Sequence, residues 1–486
     1  MCLTVPEPKI KLYDQGFEDL DERGQKLDQL GRKATGDKLS DLVERIDDPM
    51  VIALDGAWGS GKSFFLKCWV GEHLKRKGNT TQTVYFDAFG HDFLDDPLIA
   101  LTGAIAEGFE RDKKLLPAER ESRVQKLKKF GWVLGKSSAK IGVSVAGHYA
   151  KKLVGEECLE EFGKDLEKAS QKGVATAEDE VKTLIDSGIG NEASEVFWRE
   201  QRAKIVAMSA FREVLTELTE PATKEQAEDD PKLQEGTPTR KLVVVIDELD
   251  RCRPDYALSL LEIIKHFFNV PGVHFVLGVN LTELQNSVRA RYGSGVDAAK
   301  YLQKFVSIEI PLRSTTTNGY EPSAYSRHFL TVSAEMKTAE TKLFHLTQRY
   351  LEMANHHFDI TLRDVEKISA RLAVTTYEHI ETPGAEHLLA GLIVLKITAP
   401  HLVDAARKNE LEFKELNQAF LLSSRIAQGG VWNEARQSWL LATTKDMNKG
   451  LRPDDFDALQ PLFNRDDPQE VLRLVIANNL DSFILR

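Results

Sequence analysis

The chain has 486 residues, 42% hydrophobic and 29% charged, with a formal net charge of -11; that is enough for two or three domains with a large core, in a water-soluble rather than a disordered or fibrous protein. The acidic balance argues against a protein that coats nucleic acid over its whole surface. Four scattered cysteines without a CxxC pair point to a reducing cytosol and away from zinc, Met1 to Lys11 lacks the apolar core of a signal peptide, and no apolar run is long enough to mark a membrane span.

Residues 1–50 are polar with helical spacing, and Leu27, Leu30, Leu39, Leu42 and Val43 line one face of an N-terminal helical lead-in. Then comes Val51-Ile52-Ala53-Leu54, a strand at 51–55, followed by Gly56-Ala57-Trp58-Gly59-Ser60-Gly61-Lys62-Ser63 and a helix at 61–77. The spacing Gly56-x4-Gly61-Lys62-Ser63 between a strand and a helix is that of a phosphate-binding loop. Glycines let backbone N–H groups turn inward and approach phosphate oxygens closely. The start of the helix presents its partial positive end to the same anion. Lys62 is expected to reach the β- and γ-phosphates, and Ser63 to hold Mg²⁺. The expected nucleotide contacts are Gly56, Trp58, Gly59, Ser60, Gly61, Lys62, Ser63 and Phe64.

A strand at 83–87 and a helix at 97–110 continue the core. About 130 residues that a sheet does not need follow. Residues 111–155 hold twelve Lys or Arg against three Asp or Glu, a local charge of +9. This stretch is a candidate contact with anionic lipid at the inner membrane or with nucleic acid; a charged helix pair facing solvent, or docking on the acidic segment after 156, is the alternative. The whole of 111–218 reads as a helical basic and acidic insertion. Residues 219–240, polar and containing Pro221, Pro231 and Pro238, read as a flexible linker.

Leu242-Val243-Val244-Val245-Ile246 is a continuous apolar run, the pattern of a strand buried on both faces of a parallel sheet. It ends in Asp247-Glu248-Leu249-Asp250-Arg251-Cys252. A carboxylate at that tip lies beside the phosphate loop in doubly wound folds. Asp247 is expected to hold Mg²⁺ with Ser63, and Glu248 to orient and polarise the attacking water. Helices at 255–269 and 281–291 and strands at 273–279 and 305–310 complete an α/β fold: a P-loop NTPase core over 51–110 and 241–312, a parallel sheet flanked by helices. Residues 320–486 are helical throughout, with Leu411, Phe413, Leu416, Phe420 and Leu421 as one stripe, and form a C-terminal all-helical domain.

The two motifs and their flanks resemble the KAP family of P-loop NTPases. The marks are Trp58 inside the loop, Ile246-Asp247-Glu248-Leu249-Asp250-Arg251-Cys252, Leu30-Gly31-Arg32, Val84-Tyr85-Phe86-Asp87-Ala88-Phe89, Lys300-Tyr301-Leu302-Gln303-Lys304-Phe305, Ile308-Glu309-Ile310-Pro311-Leu312 and Leu362-Arg363-Asp364-Val365. The resemblance covers about 25–370, with the insertion unmatched. It implies a cytoplasmic ATPase that binds ATP and Mg²⁺ as a conformational or assembly switch, as a homo-oligomer or with a protein partner, in bacterial defence against phage or plasmids or at the membrane. Leu30-Gly31-Arg32 is placed to flank the adenine, with a surface charge as the alternative for Arg32. Arg251, Arg289, Arg291 and Arg363 are candidate arginine fingers or sensors; Asp250–Arg251 is equally a structural ion pair beneath the loop. Three departures stand out. Glu248 replaces the usual aspartate and preserves the chemistry. Asn280 stands where the family tends to have aspartate, and is left with a γ-phosphate sensing role. The basic, glycine-rich stretch replaces the transmembrane helices that many members carry, which leaves peripheral membrane contact open.

Overall fold

The computed structural model describes residues 9–111, a few positions within 121–128, and 208–229, 234–312, 324–338, 341–375, 380–423, 430–444 and 462–482, single positions excepted. Most of the basic stretch 111–155 and of the 111–218 insertion lies outside the described residues, and with it the expected lipid or nucleic-acid surface.

Five strands form one sheet: β1 (Met50–Asp55), β2 (Thr81–Asp87), β3 (Lys241–Asp247), β4 (Val273–Val279) and β5 (Ile308–Pro311). Every pairing is parallel, and the spatial order is β2-β3-β4-β1-β5. Between them run α1 (Lys33–Arg45), α2 (Lys62–Lys75), the short α3 (Ala88–His91), α4 (Pro97–Glu110), α5 (Pro254–Phe267) and α6 (Leu281–Tyr292). Because β4 is inserted between β1 and β3, the loop after β1 and the acids after β3 stand on either side of one strand.

The apolar run of β3 follows from this placement. Val243 and Val245 face one layer with Ile52, Leu54, Phe65 and Trp69, while Leu242, Val244 and Ile246 face the other with Leu101, Ile105, Leu261 and Phe275. All seven residues of β3 are buried, so a polar residue at any alternate position would be desolvated on one side or the other.

Two expectations change. The last strand starts at Ile308 rather than 305, because Phe305 and Val306 turn their N–H groups back onto the Leu302 carbonyl (2.9 and 3.1 Å) and pairing with β1 opens only at Ser307, which donates to Val51. Residues 219–240 are not a free linker. Ala222 donates to Thr237 (2.8 Å), Thr239 to Glu220 (3.2 Å) and Arg240 to Thr219 (3.0 Å), and a helical turn at Lys224–Asp229 sits within. Pro221 and Pro238 bridge each other in antiparallel fashion within this pairing.

Beyond the sheet the chain is helical: α7 (Ala324–Glu335), α8 (Lys342–Ala354), α9 (Leu362–Val374), α10 (Pro383–Thr398), α11 (Pro400–Arg407), α12 (Phe413–Phe420), α13 (Gly430–Thr443) and α14 (Pro468–Val475). These pack into a core of their own around α10, whose residues 384–395 are all buried. Thr382 caps α10 and Pro383 occupies its first turn, a start signal that needs no amphipathic stripe. Among the described residues no helix is long and apolar enough to cross a membrane.

Two buried histidines make stability depend on pH. His274, in the middle of the sheet, is held down to about 4 by burial and then by the Lys241 ammonium. His387, in the helical core, is held down to about 4 by burial and then by Lys342 and Arg349. Above the ordinary histidine value of about 6.5 neither the folded nor the unfolded chain is protonated there. As pH falls from there toward 4, only the unfolded chain takes up the protons, so stability is lost across that window and levels off below it. Urea denaturation at pH 7.5, 6, 5 and 4.5 should therefore show falling stability, and His274→Leu should flatten the fall by about 3 kcal/mol at most.

Candidate active site

The loop between β1 and α2 is tied down at both ends. Gly56 donates to the Val279 carbonyl of β4 (3.2 Å), and Ser60 to Ala57 (3.2 Å). Gly59 and Gly61 have φ of 81° and 82°, a left-handed backbone that side chains resist. Gly61 is the N-cap of α2, and no side chain caps that helix, so its first-turn N–H groups point into the loop. Lys62 is buried along the loop and donates to the carbonyls of Gly56 (2.6 Å) and Ala57 (3.2 Å). Burial pulls its ammonium below the ordinary lysine range, against the opposing pull of Asp250, Asp247 and Asp55.

Asp247 closes β3 with 1% exposure. Its carboxylate accepts the Tyr85 hydroxyl (2.6 Å), the Glu248 N–H (2.9 Å) and the Ser63 hydroxyl. Burial raises its pKa; these hydrogen bonds and Lys67 work the other way. The Tyr85 hydroxyl is pushed up by burial and by Asp247, and stays a donor. Gly278 of β4 lies opposite in register, and a Cβ there would strike Leu66 and stand 2.7 Å from Asp247 Oδ1. Ser63 and Asp247 thus offer two hard oxygen donors side by side. This set fits a Mg²⁺ that takes its other ligands from water and phosphate. Among the described residues no group of three or more His, Cys, Asp or Glu gathers to hold a metal without such help.

Glu248 sits at φ 59°, ψ 26°, a strained conformation for a residue with a side chain. Burial, opposed by Arg251 and reinforced by Asp247, raises its carboxyl pKa, making it a stronger base once ionised. The Arg251 guanidinium lies 2.7 Å from Glu248, so the ion pair anticipated between Asp250 and Arg251 forms with Glu248 instead. Asp250 is engaged by the loop: the Trp58 indole N–H donates to it at 2.5 Å. Phe64 lines the cleft, whereas Asn280 does not: its side-chain oxygen caps α6 by accepting from Thr282 (3.1 Å) and Glu283 (3.4 Å). Arg289 and Arg291 lie at the exposed far end of α6, bonded to Asn286 and to Asp255.

Arg32 is not a surface charge. It is 3% exposed, and its guanidinium donates to the Ser60 carbonyl at 2.7 Å. Arg363 also faces the loop. Leu362, the first residue of α9, donates its N–H to the Gly59 carbonyl (3.1 Å), and a Cβ on Gly59 would lie 2.7 Å from the Arg363 Cβ and 2.9 Å from Thr361 Oγ1. Thr361 and Asp364 form a capping box that fixes this helix start. The result is a cleft of about 270 Å³, walled by the loop, the acids, residues Leu27–Arg32, and the faces of α7 and α9 that carry His328, Thr331, Val332, Arg363 and Glu366. His328 and Glu366 meet at 3.4 Å across that wall. The contribution of α7 and the roles of Tyr85 and Gly278 escape the motif-based reading. Only Gly278 carries a local signal, a glycine inside an otherwise apolar strand.

A parallel sheet with a glycine loop at β1, an acid at the tip of β3 and a lysine buried between them defines the P-loop class of nucleotide-binding proteins. The KAP family P-loop domain matches residues 32–379, and the chain belongs to that family. No curated protein matches it significantly. Among solved structures, the Aeropyrum pernix ORC2 protein, described in ADPNP-ADP complexes, is similar at 11% identity over 91% of this chain and 86% of that one. Its TM-score of 0.28 is too low for that likeness to carry an argument.

Gly278→Ala would crowd Leu66 and the Asp247 carboxylate. We expect a loss of about 1–3 kcal/mol in stability from the crowding, measured by urea denaturation.

Proposed function

We propose that this chain binds and hydrolyses ATP with Mg²⁺, and that the nucleotide acts as a switch on the C-terminal helices. Ser63 and Asp247 hold the metal, Lys62 and the loop N–H groups hold the phosphates, and Glu248 accepts the proton of the attacking water. Arg363 reads the γ-phosphate from α9, and assembly with a second copy or another protein is the output.

One observation carries this reading: the tip of the phosphate loop is hydrogen-bonded to the start of α9 through Gly59 and Leu362. A ligand that reshapes the loop therefore acts on the helical region through a direct contact, which differential binding requires. The raised pKa of Glu248 supports its role as base.

Phosphate release and solution mass test it together. Lys62→Ala should abolish nucleotide binding, and Glu248→Gln should bind ATP but turn it over about 10²–10⁴-fold more slowly. Wild type that leaves ATP untouched in the presence of Mg²⁺ would sink the enzyme reading.

Leu362→Pro isolates the contact. Proline is tolerated at the first helical position and removes only the N–H, and Thr361 is already extended, as the residue before proline must be. With Leu362→Ala as control for the lost side chain, only the proline variant should lose the ATP-dependent change in protease cleavage and mass. The two variants behaving alike would mean that the hydrogen bond transmits nothing.

A further inference from the structure

Arg32 presents an anomaly that the ATPase reading leaves unexplained. Its guanidinium is buried, at 3% exposure, and among the described residues no carboxylate pairs with it. Tyr325 and Asp28 act on it electrostatically, but the two Asp28 oxygens accept the backbone N–H groups of Arg32 and Lys33, each at 2.8 Å. Among the described residues Nη1 donates to the Ser60 carbonyl, while Nε is buried without a hydrogen-bond partner. A desolvated cation hydrogen-bonded to a neutral carbonyl is expensive unless an anion completes the site.

The place is specific. Arg32 lines the cleft, and Nη1 comes within 3.4 Å of the point where a Cβ on Gly61 would stand, at the uncapped start of α2. The guanidinium therefore adds a fixed positive charge to the loop N–H groups and Lys62 on the side facing the N-terminal segment. A planar fork of N–H donors suits the bidentate recognition of phosphate oxygens.

We propose that Arg32 binds the phosphate chain of the nucleotide, as its buried counter-ion, rather than flanking the base. The inference rests on the nucleotide reading above and names the part of the ligand that Arg32 recognises. It also gives the N-terminal segment a direct part in binding: Arg32 braces Ser60 from behind and meets the ligand through its remaining N–H groups.

The test separates base from phosphate. Binding of ATP, of inorganic tripolyphosphate and of adenosine is measured by calorimetry without metal, for wild type, Arg32→Gln and Arg32→Lys. The expected result is at least a ten-fold loss of ATP and tripolyphosphate affinity in Arg32→Gln, no change for adenosine, and partial retention of tripolyphosphate binding in Arg32→Lys, which keeps the charge. Tripolyphosphate should also raise the melting temperature of wild type and not that of Arg32→Gln. Unchanged ATP affinity, or adenosine weakened as much as ATP, overturns the inference. If Arg32→Gln does not fold, the lysine variant decides: tripolyphosphate and adenosine weakened together would mark a structural role. Wild type that binds neither ATP nor tripolyphosphate would instead overturn the nucleotide reading itself.

Discussion

The structure turns on one buried carboxylate. Asp247 ends a strand that is buried throughout and is held by a hydroxyl from β2, a hydroxyl from α2 and the next N–H in its own chain. Each bond comes from a different element, so the position of the carboxylate depends on the register of β2 and β3 and on where α2 starts. The neighbouring strand must leave room as well, which is why residue 278 has no side chain. A group desolvated to this extent would shed its charge without such donors. The fold around the cleft amounts to the framework that holds one buried acid in place beside the loop.

The loop is then coupled outward at three points. Trp58 joins it to Asp250 beyond β3, Arg32 joins it to the segment before α1, and Gly59 joins it to the start of α9. Residues far apart in sequence converge because every strand is parallel, so all the loops that follow the strands emerge at one edge. The helical region reaches that edge through a helix start, and the capping box of Thr361 and Asp364 makes that start rigid.

Local chemistry made much of this legible in advance. The glycines, Lys62 and Ser63 announce themselves because a phosphate loop permits few other residues, and the apolar run of β3 announces a strand buried on both faces. Features that depend on three-dimensional neighbours were not legible. Nothing local marks Tyr85 as the partner of Asp247. Nothing separates Arg251 bonding Glu248 from Arg251 bonding Asp250, because one residue's step decides it and the left-handed backbone at Glu248 is what sets the direction. Arg32 looked as much like a surface charge as a site residue, since burial is a property of what packs over it. The prolines of 219–240 suggested freedom where the chain pairs with itself.

The central position of α10 has a mechanical consequence. From Gly384 to Leu395 the helix is enclosed on all sides, with Glu386 and His387 as the only polar side chains in that stretch. Close packing resists shear there, because any sliding would open voids along the whole length. The helices packed around it are thus held to a shared spacing, and a shift of any one of them would be resisted by the others.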